Sequence, residues 1–106
     1  MQFCIFNLSP TEGHEQSGYR PAVVVSNDFT ISTTNMVYIA PITNTVRNFP
    51  LHVSLDARTK TTGEVLCEQA RAVDLKSRPF TVIERVPDDI LDNILECIIS
   101  CLENEL

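Results

Sequence analysis

Apolar residues recur along this chain with two periods, and the change falls at Pro87. Before it the pattern is that of strands. Positions 51–55 (Leu-His-Val-Ser-Leu) and 80–86 alternate, the period of two that sets every second side chain on one face of a strand. Positions 3–8 form a short apolar run and predict another. Positions 21–26 contain Val23-Val24-Val25, which predicts a strand buried on both faces or nearly so. Positions 36–43 (Met-Val-Tyr-Ile-Ala-Pro-Ile-Thr) predict a third strand; Pro41 near its end points to an edge or a bulge, because proline has no N–H to give to a ladder. Positions 64–75 read as one long or bent strand. Polar loops separate these runs at 9–20, 27–35, 44–50 and 56–63, with a turn at 76–79. The Ser-, Thr- and Asn-rich segment 27–35 has room for one helical turn.

After Pro87 the period becomes helical. Ile90, Leu91, Ile94, Leu95, Ile98, Ile99 and Leu102 fall on one stripe, with Asp92, Asn93, Glu96, Ser100 and Glu103 on the other face. Proline followed by Asp88 and Asp89 suits a helix start, where a missing N–H costs nothing and negative charge meets the positive end of the dipole. Several short strands and one helix make an α+β plan: a strongly curved antiparallel sheet or small barrel, closed on one side by the helix. With no repeat or linker, residues 1–106 are expected to form a single domain.

Composition narrows the picture. A hydrophobic content of 43% with 21% charged residues is that of a soluble globular protein, and with no Trp the core must be built mostly of Val, Ile and Leu. No apolar run approaches the roughly 20 residues that span a bilayer. Met1-Gln2-Phe3-Cys4-Ile5 has no basic start and no small-residue cleavage site, so no signal peptide is expected there. Cys4, Cys67, Cys97 and Cys101 form no C-x-x-C pair, and neither histidine is near them in sequence. Buried free thiols in a reduced cytoplasm are the expectation, with no metal and no cofactor. The net charge of −6 is uneven: residues 84–106 alone carry −6, while residues 47–83 carry +2. A polyanionic partner for that basic middle is therefore compatible with an acidic total.

The candidate chemistry clusters in the first polar loop. His14, Glu15, Gln16, Tyr19 and Arg20 crowd between Gly13 and Pro21, a set that a simple chain reversal does not need. Arg20 opens the valine strand and offers a fixed fork of donors suited to phosphate. Thr43 closes the third strand. His14 titrates near neutrality, and Glu15 and Glu68 can accept a proton or orient a base. There is no G-x-S-x-G, no phosphate loop and no H-E-x-x-H. The remaining kit suits RNA cleavage by the substrate's own 2′-OH, for which a protein supplies a base, an acid and charge stabilisation.

The chain resembles the MazF/PemK family of toxin endoribonucleases of bacterial toxin–antitoxin systems. The resemblance runs through Asn7-Leu8-Ser9-Pro10, Gly13-His14-Glu15-Gln16-Ser17-Gly18-Tyr19-Arg20-Pro21, Ala40-Pro41-Ile42-Thr43, Thr61-Thr62-Gly63, Cys67-Glu68-Gln69-Ala70-Arg71 and Val86-Pro87-Asp88-Asp89. It implies an SH3-like barrel of the CcdB/PemK kind with a C-terminal helix, a homodimer, and a cognate antitoxin whose acidic segment covers the RNA groove. It also implies metal-independent cleavage of single-stranded RNA at short motifs, leaving a 2′,3′-cyclic phosphate or 3′-phosphate and a 5′-OH, and so inhibiting translation. The family pattern puts catalytic roles on Arg20 and Thr43, a phosphate-stabilising role on His14 and a loop acid on Glu15. Gln16, Asn27, Arg47, Glu68 and Gln69 are expected to hold RNA. Members that use the acid at Glu68 as a base place an arginine two residues before it; here that position is Leu66, so the arginine's role does not carry over and the base role of Glu68 is weakened. Met1-Gln2 stand where the family usually opens with Gly-Asp.

Two other readings compete. A CcdB-type protein would trap DNA gyrase through its last residues, typically with a Trp; this chain has none and ends Glu103-Asn104-Glu105-Leu106. A silent relative would keep the fold and the antitoxin groove without activity.

Overall fold

The computed structural model describes residues 4–8, 20–74, 76 and 80–103. Its elements are β1 (Cys4–Leu8), β2 (Arg20–Val24), α1 (Asp28–Thr34), β3 (Met36–Thr43), β4 (His52–Ser54), β5 (Glu64–Leu66), a 3₁₀ turn (Cys67–Gln69), β6 (Arg71–Asp74), β7 (Phe80–Arg85) and α2 (Asp88–Leu102). The strands pair antiparallel in the order β4-β5-β3-β2-β1-β7, with β6 on β3 beside β5. The expected α+β plan is therefore present, as a curled antiparallel sheet with a C-terminal helix; among the described residues backbone pairing does not close the sheet. Its two ends approach through a side chain. The Glu84 carboxylate on β7 accepts N–H bonds from Lys60 (3.0 Å) and Thr61 (2.8 Å), in the loop that follows β4, and the Thr61 hydroxyl at 2.9 Å.

β3 is the spine, so Pro41 is not on an edge. On one flank β3 pairs with β2; on the other, Met36 to Ile39 pair with β6, and Ile42 and Thr43 with β5. Pro41 lies between those two stretches, where the second flank has no ladder and a residue without N–H is tolerated. The single strand expected over 64–75 is interrupted at the same place. The register on β3 shifts by three residues between Val65↔Ile42 and Arg71↔Ile39, and the three residues of the 3₁₀ turn take up the shift.

Strand alternation gives the sheet two apolar faces. Ile5, Val23, Ala40, Ile42 and Val65 pack with Cys67 and Val86 against Ile90, Leu91 and Ile94 of α2. Ala22, Val24, Val37, Ile39 and Val73 form a second cluster on the opposite face, flanked by Ile31 and Phe80. The helix follows its predicted stripe from Pro87 onward, but only its first half is fully buried; Ile99 and Leu102 are exposed. Segment 27–35 holds more than one turn. Asn27 caps α1 by accepting the Thr30 N–H at 2.9 Å, and Asn35 ends it in the left-handed region at φ 59°.

Candidate active site

Register brings the two strand-end candidates together. β2 and β3 pair Val24↔Ile39, Val23↔Ala40 and Ala22↔Pro41, and continuing that register by two residues sets Arg20 opposite Thr43. Thr43 in turn pairs with Glu64, and Glu64 with Ser54. Residues directly opposite in an antiparallel pair share a face. One row, Arg20–Thr43–Glu64–Ser54, therefore crosses β2, β3, β5 and β4 on the face of Ala22, Val24 and Ile39. Arg20 is exposed and Thr43 half-buried, its hydroxyl accepting the Thr45 N–H at 3.2 Å.

Gly63 holds the row close. It lies at φ +121°, and a Cβ there would stand 2.2 Å from the Thr43 carbonyl oxygen. Only glycine lets the backbone before β5 approach the end of β3 so nearly.

Behind Thr43 stand two residues that the sequence pattern did not single out. Glu64 is 2% exposed, yet its carboxylate is fully engaged. It accepts N–H bonds from Arg47 (3.2 Å) and Asn48 (3.2 Å), and His52 Nδ1 lies at 3.0 Å. Burial alone would push the Glu64 carboxyl up; the Arg47 N–H, the His52 ring and the Asn48 N–H outweigh it and hold it below its ordinary value. On the other side of the ring, His52 Nε2 lies 3.1 Å from Glu68 Oε2. Burial works against a charged ring, but the hydrogen bonds to Glu68 and Glu64 outweigh it and raise its pKa. His52 is also the cross-strand partner of Leu66, the position that departs from the family pattern. The available signal was an acid opening an apolar strand right after Gly63, with a histidine at an alternating position of 51–55.

The other candidates fall into four groups. Arg47 is exposed, and its backbone ties the loop to Glu64. Glu68 and Gln69 are exposed on the 3₁₀ turn, and Glu68 is linked to Glu64 through the two ring nitrogens of His52. Asn27 sits apart at the cap of α1, with Oδ1 committed to Thr30. His14, Glu15 and Gln16 lie outside the described residues.

Among the described residues no three or more His, Cys, Asp or Glu side chains are grouped to hold a metal ion. Cys67 is buried, Cys97 partly buried and Cys101 exposed. Burial, with the neighbouring Cys97 thiol, pushes the Cys67 thiol far above its ordinary range. No helix among the described residues is long and apolar enough to cross a membrane.

Comparison with known proteins adds five findings. The profile of the family described as PemK-like, MazF-like toxin of type II toxin–antitoxin system matches residues 2–102. Endoribonuclease PemK of Escherichia coli is 38% identical over 95 residues, covering 86% of this chain and 71% of that protein. Endoribonuclease EndoA of Bacillus subtilis is 32% identical over 97 residues, covering 87% and 83%. In three dimensions the chain superposes on a MazE–MazF structure from Deinococcus radiodurans with a TM-score of 0.84 at 27% identity, covering 95% of this chain and 92% of that one. A MazF structure from the same organism gives 0.82 at 30% identity, covering 95% and 94%.

Proposed function

The chain belongs to the PemK-like, MazF-like family of toxins of type II toxin–antitoxin systems, and from that premise we propose that it is a toxin endoribonuclease that cleaves single-stranded RNA without a metal and so inhibits translation. The observation that supports the reading is the β2–β3 register, Val24↔Ile39 to Ala22↔Pro41, whose continuation by two residues brings Arg20 opposite Thr43. Arg20 offers a permanent, forked positive charge to the scissile phosphate and to the charge that builds on it during cleavage. The Thr43 hydroxyl holds the same phosphate from the neighbouring strand. The 2′-OH attacks phosphorus, the P–O5′ bond breaks, and the products are a 2′,3′-cyclic phosphate and a 5′-OH. His14 or Glu15 assists proton transfer. Gln16, Asn27, Arg47, Glu68 and Gln69 hold bases and backbone.

The whole chain, residues 1–106, acts as one toxin domain. Its partner is a cognate antitoxin, a reading supported by the MazE–MazF complex among its structural relatives. It works in the cytoplasm, where its RNA is, as a homodimer. The gyrase-binding alternative is not favoured, because the relatives PemK and EndoA carry the name endoribonuclease.

The experiment is cleavage of a long single-stranded RNA in EDTA by wild type and Arg20→Ala. Wild type is expected to cut at short motifs, leaving 5′-OH ends. Arg20→Ala is expected to lose about 10²–10³-fold in rate, the scale of one removed charge-stabilising donor. A variant that still cut at the wild-type rate would overturn the assignment.

A further inference from the structure

His52 has no task in the reaction as described so far, yet it is the most constrained ionisable group behind Thr43. Its side chain is 5% exposed, and both ring nitrogens face carboxylate oxygens: Nδ1 to Glu64 Oε1 at 3.0 Å and Nε2 to Glu68 Oε2 at 3.1 Å. Ionised carboxylates only accept hydrogen bonds, so two such contacts require two N–H donors. An imidazole has two only when it is the imidazolium.

The two carboxylates are unequal. Glu64 is buried and holds the Arg47 and Asn48 amides, while the Glu68 side chain is 31% exposed. If the ring gives up one proton, the remaining N–H stays with Glu64, because stripping a buried carboxylate of a donor costs more than stripping an exposed one. The bare Nε2 lone pair then faces Glu68 Oε2 and repels it. The neighbours favour the charged ring. Glu68 and Glu64 are the charged groups set against it, and Phe49 meets it edge-on at 5.2 Å.

We propose that His52 is a positioning residue for Glu68: the imidazolium clamps Glu68 Oε2 and leaves Oε1 to take the proton of the RNA 2′-OH. This rests on the endoribonuclease reading above and gives the 2′-OH proton to Glu68 rather than to His14 or Glu15. As the O2′–P bond forms and the P–O5′ bond breaks, the 2′-OH proton ends on Glu68, and the 5′ oxygen takes a proton from water. Charge on the ring holds Glu68 in place, and loss of that charge releases it. Proton transfer on the alkaline side is thus governed by a group that never touches the substrate.

The test combines the pH dependence of cleavage with nitrogen-15 NMR of the ring. Wild-type kcat is expected to decline on the alkaline side as the imidazolium is lost. His52→Gln should lower kcat about ten- to hundredfold, leave KM little changed and abolish that alkaline decline. Glu68→Gln should likewise lower kcat and abolish the alkaline decline, and the double variant should lose no more in kcat than Glu68→Gln alone, since the two act as one unit. In NMR, both ring nitrogens should be protonated in neutral buffer, and Glu68→Gln should lower the ring's pKa. The NMR measurement needs no RNA, so it judges the clamp even if wild type fails to cleave, an outcome that would instead sink the endoribonuclease reading. Glu68→Gln carries the kinetic test if His52→Gln does not fold. A neutral ring in neutral buffer, an unchanged alkaline limb in either variant, or additive losses in the double variant would overturn the proposal.

Discussion

His52 and Glu64 form a buried pair, Nδ1 to Oε1 at 3.0 Å, that joins β4 to β5 and, through Glu64, fixes the amides of Arg47 and Asn48. The pair makes stability depend on pH in a definite direction. The His52 pKa is raised above its ordinary 6.5, burial opposing and the bonds to Glu68 and Glu64 prevailing. Its contribution is therefore complete below pH 6.5 and is lost as pH rises through the raised value. Glu64 and Glu84 are lowered from 4.5: burial opposes, and the backbone N–H bonds from Arg47 to Glu64 and from Lys60 to Glu84 are the largest of the groups that outweigh it. Their contributions are complete above pH 4.5 and vanish as pH falls through the lowered values. The melting temperature is expected to peak between those limits and to fall on both sides. Melts of wild type and His52→Gln across pH check this. A wild-type curve that stays flat from pH 6.5 into the alkaline range would contradict it.

Gly63→Ala should damage the row at Thr43 directly. The left-handed φ of +121° costs about 1–3 kcal/mol for a residue with a side chain, and the added Cβ would meet the Thr43 carbonyl oxygen at 2.2 Å. Relief requires β5 to move away from the end of β3. The variant is expected to melt lower and to lose RNA cleavage. A purified Gly63→Ala protein with wild-type melting and wild-type cleavage would contradict the close approach.

The helix offers an internal comparison. Ile94 is fully buried between the sheet and α2, so Ile94→Ala should cost about 2–5 kcal/mol. Leu102, on the same stripe, is 78% exposed, and Leu102→Ala should change unfolding of the isolated chain by no more than about 0.5 kcal/mol. Chemical denaturation of both variants decides the matter. Equal losses would mean that α2 buries its whole stripe.

The thiols should separate by position. Cys67 is buried and its thiol is held far up by burial and by Cys97, so it should resist a maleimide in the native state. Cys101 is exposed and should label first, at a rate that climbs with pH, because burial and the neighbouring Cys97 also raise its pKa. Mass spectrometry of peptides after brief labelling gives the order. Labelling of Cys67 before Cys101 would contradict the packing of the 3₁₀ turn against α2.

Much of the frame was legible in the sequence because it rests on local chemistry. The helix start at Pro87 follows from the missing N–H of proline and two acids in the first turn. The valine run at β2 and the end of β3 at Thr43 follow from strand patterning. Segment 64–75 was less legible. Its apolar spacing continues through the break, and the three-residue offset exists only because β5 and β6 must share one flank of β3. Pro41 misled for the same reason: the gap that accommodates it is made by strands more than 20 residues away in sequence.

The site divides along the same line. Arg20 and Thr43 stood out in sequence because each is a polar residue at the end of an apolar strand, and periodicity sets which face each occupies. Their placement opposite each other is a matter of register, which belongs to the pairing of β2 with β3 and to neither strand alone. Glu64, His52 and Glu68 are separated by 12 and 16 residues along the chain, and nothing local marks them as a unit. Sequence by itself determined the elements, the apolar stripes and the kind of chemistry available, because propensity, periodicity and functional-group inventory are properties of short segments. Only tertiary structure decided which groups meet, because a buried carboxylate must find its donors wherever the fold brings them, and here it finds them in the 44–51 loop and the first residue of β4.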